Sequence, residues 1–291
     1  MIGLRLTLAS NAIHLEAARR LRDGLAGRPA GLEILLWEPQ RFSLSAADRQ
    51  RWRWRLPVRP LSYLLLAPMA LLGLVAELRL AHRLGAGLGL RLLLARARRL
   101  SLLDDGLDQY RAQPKAVDPL AFPAGLDCWL FSDAPAWRAP WCQRFRCREL
   151  GPLFAAAHGH PAAAPPPFGP PAMPPQGTLI IDSPGVERLE SLAGDFPHPW
   201  RLVPHPVAAK RSWRLPIEAG DSCQPGAPEA LLARWRGTVV VGESLMLLAA
   251  LRLRPAGTRL VLGLPDSVDD HLRARVAQAA QGDPLVWLAA A

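Results

Sequence analysis

The sequence predicts an α/β protein of two parallel-sheet domains, and three observations carry that reading. The chain opens on a β-α-β pattern. Between residues 161 and 175 eight of 15 positions are proline. After that tract, short apolar runs alternate with helical segments, each run ending in Gly, Pro or polar residues. A chain of 291 residues, half of them hydrophobic, is long enough for two domains with cores of their own.

The elements follow in order. Residues 2–8 alternate like a strand, and Ser10 or Asn11 can cap the helix carrying Ile13, Leu15, Ala18 and Leu21. Gly24 and Gly27 end it, and Leu32–Trp37 reads as the second strand. The segment Arg51–Arg55 is basic and aromatic by turns. Residues 61–76 then run for 16 positions without a charge. That is short of the roughly 18–20 apolar residues a membrane span needs, so the expectation is a buried helix kinked at Pro68. A helix lying against a membrane is the minority reading, supported by the flanking arginines. Leu100–Leu103 and residues 126–131 read as strands.

The proline tract fits a stiff, extended linker. The expected domains are therefore 1–154 and 177–291, both α/β, joined by 155–176. In the second, Thr178–Ile181, Trp200–Val203, Thr238–Val241 and Arg259–Leu264 read as strands. Leu245–Leu253 and Val268–Ala280 read as helices.

The net charge is +10, yet Lys115 and Lys210 are the only lysines. An arginine bias of this kind also follows from a GC-rich coding sequence and is weak evidence for nucleic acid. Arginine is spread over the whole chain rather than gathered on one module, so nucleic acid is not expected as a partner. A non-catalytic protein bound to nucleic acid or membrane is the alternative. The four cysteines form no C-x-x-C pair, and Cys142, Cys147, His158 and His160 have irregular spacing for a zinc site. No metal is expected. Arg5 breaks the first apolar run, so no signal peptide is read and a cytoplasmic location is expected.

Three motifs carry possible chemistry. Asp104-Asp105-Gly106 ends an apolar strand and can present a carboxylate as a general base, although Asp-Gly is also an ordinary turn. Pro204-His205-Pro206 follows another strand and holds an imidazole in a restricted backbone. Gly242-Glu243-Ser244 joins a strand to a helix, where backbone N–H groups and a hydroxyl favour a phosphate; Ser is equally the expected N-cap. Ser183 and Gly185, in Asp182-Ser-Pro-Gly185, stand at a further strand end and join the binding candidates with no chemistry assigned. No G-x-G-x-x-G or Walker A sequence is present.

In this order, a carboxylate pair with Gly, then His-Pro, then a Ser-containing turn before a helix, the chain resembles the bacterial sialyltransferases and polysialyltransferases of GT-B fold. The resemblance rests on about ten residues and departs in having one Ser where paired Ser/Thr is commoner. It implies metal-independent, inverting transfer of sialic acid or a related acidic sugar from a CMP-linked donor to a surface glycan or lipid-linked acceptor, with 1–154 the acceptor-side domain and 177–291 the nucleotide-sugar-binding one; a GT-B enzyme using another sugar nucleotide is a further alternative. It implies Asp104 or Asp105 as the base, His205 at the CMP phosphate, and Ser244 holding that phosphate. No cofactor is implied beyond the donor substrate; a peripheral membrane contact at the inner face is a further expectation.

Overall fold

Both sheets are wholly parallel, and both run in a doubly wound strand order. The computed structural model describes residues 3–24, 32–40, 42–81, 87–104, 124–132, 139–153, 176–186, 195–203 and 231–288. The chain divides into two units, Met1–Leu153 and Phe154–Ala291.

Unit 1 contains β1 (Leu4–Ala9), α1 (Ala12–Asp23), β2 (Glu33–Trp37), α2 (Ala46–Arg51), β3 (Trp54–Pro57) and α3 (Pro60–Leu71). These are followed by β4 (Val75–Leu80), α4 (Leu88–Arg96), β5 (Leu100–Leu103), β6 (Asp127–Leu130), α5 (Ala139–Arg144) and β7 (Arg146–Glu149). The strand order is β3-β2-β1-β4-β5-β6-β7. Side chains alternate across this sheet. Leu4, Leu6 and Leu8 of β1 face Leu66 and Ala70 of α3 and Leu90 and Leu93 of α4. On the other face Ala9 and Leu35 meet Leu15 and Ala18 of α1, with Leu44 and Trp52. Helices therefore cover both faces, as a parallel sheet requires.

The apolar run 61–76 is not one buried helix. Helix α3 ends at Leu71, Gly73 turns the chain at φ +67°, and the remaining residues enter β4. Only Ser62, Leu66 and Ala70 of α3 are buried, a stripe at four-residue spacing, and the outer face is exposed. Helix α4 comes close to α3 at Gly89, where an added Cβ would lie 2.4 Å from the Tyr63 Cβ. No helix among the described residues is long and apolar enough to cross a membrane.

Unit 2 contains β8 (Thr178–Ile181), β9 (Trp200–Val203), β10 (Thr238–Val241), α6 (Leu245–Leu253), β11 (Arg259–Leu262), α7 (Asp270–Gln281) and β12 (Val286–Leu288). The order is β12-β11-β10-β8-β9. Ile180, Val240 and Val261 stand side by side in the central strands and pack on Val186, Phe196 and Trp200. Helix α7 starts at Asp269, whose carboxylate accepts the His271 and Leu272 N–H groups. The linker residues 161–175 lie outside the described residues.

Candidate functional site

In a doubly wound sheet, ligands bind beyond the strand C-termini where the strand order reverses. In unit 2 the reversal falls between β8 and β10: the chain leaves β8 for β9 on one side and returns to β10 on the other. The residues beyond those two ends are Asp182-Ser183-Pro184-Gly185 and Gly242-Glu243-Ser244. Topology thus brings five sequence candidates to one crevice of one sheet.

The two turns are locked together. The Gly242 N–H donates to Ser183 Oγ at 2.7 Å, and that hydroxyl donates to the Ile181 carbonyl at 2.9 Å. The Glu243 N–H donates to the Pro184 carbonyl at 2.8 Å. A Cβ on Gly242 would lie 2.1 Å from the Pro184 carbonyl oxygen. Gly185 has φ +94°, and a Cβ there would lie 2.3 Å from the Gly263 carbonyl oxygen. Both glycines permit close backbone contact between loops. The loops after β8, β10 and β11 therefore form one tight backbone platform. Ser183, Gly185 and Gly242 build it, and the Ser183 hydroxyl is committed within it.

Ser244 differs. It occupies the N-cap of α6 with extended backbone, φ −154° and ψ 166°, but makes no side-chain capping bond. Its Oγ is buried and has no hydrogen-bond partner among the described residues. A buried hydroxyl left unpaired costs about 1–3 kcal/mol, which is why such groups are rare and worth a functional explanation. Around it lie the first amides of α6, which carry the positive end of the helix dipole; of these the Leu247 N–H donates to the Ser244 carbonyl at 3.0 Å. This arrangement suits an anion, and a phosphate in particular.

The other sequence candidates divide. Asp104 follows β5 at the C-terminal edge of the unit 1 sheet, but it is 2% exposed. Its Oδ2 accepts the Phe131 N–H at 2.9 Å, and its own N–H donates to the Trp129 carbonyl at 2.9 Å. Asp104 thus ties the end of β5 to the end of β6. Asp105 and His205 lie outside the described residues. Strand β9, which precedes His205, ends at Val203, whose carbonyl accepts the Asp182 N–H at 2.9 Å.

Unit 1 has its own reversal, between β1 and β4. The turn beyond β1 is Ser10-Asn11, which the sequence reading treats only as a helix cap. Asn11 does cap α1, accepting the His14 N–H at 2.9 Å. In addition the Ser10 N–H donates to His14 Nδ1 at 3.1 Å, and both residues are buried. A polar pair directly after the first strand is the signal that could have marked this crevice.

No family model matches the sequence, and no curated protein matches it. A solved structure does: the chain is similar to the glycotransferase of kitacinnamycin, with a TM-score of 0.50 and 12% identity, over 99% of this chain and 86% of that one. At that identity the likeness is one of fold. The chain has the α/β architecture of the GT-B type, with two Rossmann-type parallel sheets.

Proposed function

We propose that this protein is a glycosyltransferase whose unit 2 binds a nucleotide-sugar donor at the β8–β10 crevice, with the donor phosphate at the N-terminus of α6. The observation that carries the proposal is the Ser244 hydroxyl, buried at the start of a helix yet not spent on capping it. The fold likeness and the order of the sequence motifs support the same reading. The motif order favours a CMP-linked acidic sugar, transferred with inversion and without a metal to a surface glycan or lipid-linked acceptor.

In this reaction the acceptor hydroxyl oxygen bonds to the anomeric carbon as the bond from that carbon to the phosphate oxygen breaks. The electron pair of that bond stays on the nucleotide phosphate. The α6 amides and Ser244 Oγ oppose the charge that builds there. The hydroxyl proton passes to a carboxylate. Asp104 has one oxygen bonded to the Phe131 N–H, so the proposal assigns the base to Asp105. It assigns His205 to the departing phosphate.

Thermal shift with CMP, UDP and GDP tests this reading, since a ligand bound only by the native protein raises the melting temperature. CMP is expected to stabilise the protein, and Ser244→Ala to reduce its affinity about tenfold, the order expected for a hydrogen bond to a charged group. Stabilisation by UDP but not CMP overturns the donor assignment. A Ser244→Ala protein that binds CMP like the parent removes the phosphate site from α6.

A further inference from the structure

Helix α3 is apolar on both sides. One stripe is buried in the unit 1 core, as described above. The opposite stripe carries Leu61, Leu64, Leu65, Leu71 and Leu72, between 58% and 73% exposed. The spacing of three, four and seven residues places them along one face of the helix. Leu88, at the start of the adjacent α4, is 86% exposed, the highest of the exposed large apolar residues among those described. Isolated exposed leucines need no explanation, but a contiguous stripe does.

The charges around this face are mainly positive among the described residues. Arg59 is the N-cap of α3, and exposed Arg53 precedes the half-exposed Trp54 on edge strand β3; Arg55 instead donates to the Arg49 and Trp52 carbonyls. Arg91 and Arg96 are exposed on α4. Between Trp52 and Arg99 the only carboxylate is Glu77. It is 8% exposed and is held by Arg79 and Ser101. One acid reaches the helix from elsewhere, Glu38, whose charge acts on Tyr63.

We propose that the outer face of α3, together with the start of α4, seats unit 1 on an anionic lipid bilayer. The leucines enter the boundary between headgroups and acyl chains, Trp54 suits the interface, and the arginines meet anionic headgroups. With 12 residues, α3 is about 18 Å long, so it lies in the surface rather than across it. Charge decides against a second copy of the chain as the occupant. A two-fold contact on this face would set one arginine-rich rim against another, with Glu38 the one carboxylate among the described residues shown to act on α3. This proposal is independent of the donor reading, and its test contains no nucleotide.

The test is co-sedimentation of the full chain with vesicles of phosphatidylcholine alone or mixed with phosphatidylglycerol, at several salt concentrations. Binding is expected to the mixed vesicles only and to weaken with salt. Leu64→Ser with Leu65→Ser should reduce it about tenfold or more at an unchanged melting temperature, because both side chains are at least 60% exposed. Arg59→Gln with Arg91→Gln should flatten the salt dependence. Hydrogen exchange of the unaltered protein on vesicles needs no variant, and should show protection confined to α3 and α4. Failure of the parent to bind, binding by the leucine variant equal to the parent's, or protection elsewhere overturns the proposal. So does a dimer in vesicle-free solution that the leucine substitutions dissociate, since the face then joins two copies.

Discussion

The ion pairs of unit 1 and the candidate crevice of unit 2 stand at opposite ends of their sheets. In unit 1, charged side chains gather where β2, β5 and β6 begin. Arg79, 3% exposed, reaches Glu77 at 2.7 Å and Glu33 at 3.2 Å. Arg22 adds a second bond to Glu33 at 2.8 Å, and Ser101 one to Glu77 at 2.7 Å. Asp127, the first residue of β6, meets Arg99, Arg146 and Arg148. In unit 2 the central strands read Thr-Leu-Ile-Ile and Thr-Val-Val-Val, and beyond their C-terminal ends stand Asp182 and Ser183 on one and Glu243 and Ser244 on the other. The difference separates structure from function. Strongly held carboxylates are often taken as marks of an active site, but here several lie at the strand ends opposite to those that form candidate crevices. The modest hydroxyl at the other edge of the other sheet is the better candidate.

The largest effect that tests this comparison is expected from Arg79→Met. It leaves Glu77 and Glu33 buried without their shared cation, which should destabilise unit 1 by about 3–5 kcal/mol. The matching change in unit 2, Arg254→Met, should cost less, because its partner Asp283 has a side chain 39% exposed and can return to water. Urea unfolding followed by hydrogen exchange in peptides from each unit reads the two costs separately. Equal losses, or a loss below about 1 kcal/mol for Arg79→Met, would mean that the cluster does not hold the sheet.

A smaller effect comes from acid. Burial pushes the Glu77 carboxyl up, but bonds from Arg79 and Ser101 and the charge of Arg99 outweigh it and hold the group below its ordinary range. Asp48 is likewise raised by burial and brought down further by Arg19 and Ser45. Asp127 is raised by burial and brought down further by Arg99, Arg146 and Arg148. A depressed folded-state value stabilises the protein above the unfolded-state value, and that contribution is lost as pH falls toward the folded one. Unit 1 should therefore lose stability below about pH 4, and Arg79→Met should flatten that loss. A urea midpoint for unit 1 that stays constant down to about pH 2 contradicts the assignment.

Much of the fold was legible because parallel strands buried on both faces are short continuous apolar runs. Thr178–Ile181, Trp200–Val203 and Thr238–Val241 are strands as expected, and Leu245–Leu253 is a helix. The two edge strands of unit 1 were not legible. Trp54–Pro57 and Arg146–Glu149 each carry charged side chains facing solvent and show no apolar run. The run 61–76 misled because its residues are uniformly apolar while serving two elements; a single positive-φ glycine, Gly73, divides them. At the site, the turn Gly242–Ser244 could be read from its residues. The bond from the Gly242 N–H to Ser183 could not, because its partners stand 59 positions apart. Nor could the inward bond of Asp104, which needs Phe131 on the next strand.

The smallest expected effect is also the sharpest, because it sets two serines of one crevice against each other. Ser183→Ala removes the acceptor of the buried Gly242 N–H. An orphaned buried donor costs about 1–3 kcal/mol, so unit 2 should lose that much stability. Ser244 stands at a helix N-cap, where replacement by Ala ordinarily costs about 0.5–2 kcal/mol. Here the hydroxyl makes no capping bond and is unpaired, so nothing is lost when it goes. Ser244→Ala should therefore not destabilise the nucleotide-free protein, and removing a buried unpaired hydroxyl should raise its stability by about 1 kcal/mol. Chemical denaturation of the two variants without nucleotide separates the roles. Should Ser244→Ala cost as much as an ordinary cap, its hydroxyl serves the helix, and the donor phosphate loses its reserved partner. Should Ser183→Ala cost nothing, the lock between the two turns is not what shapes the crevice.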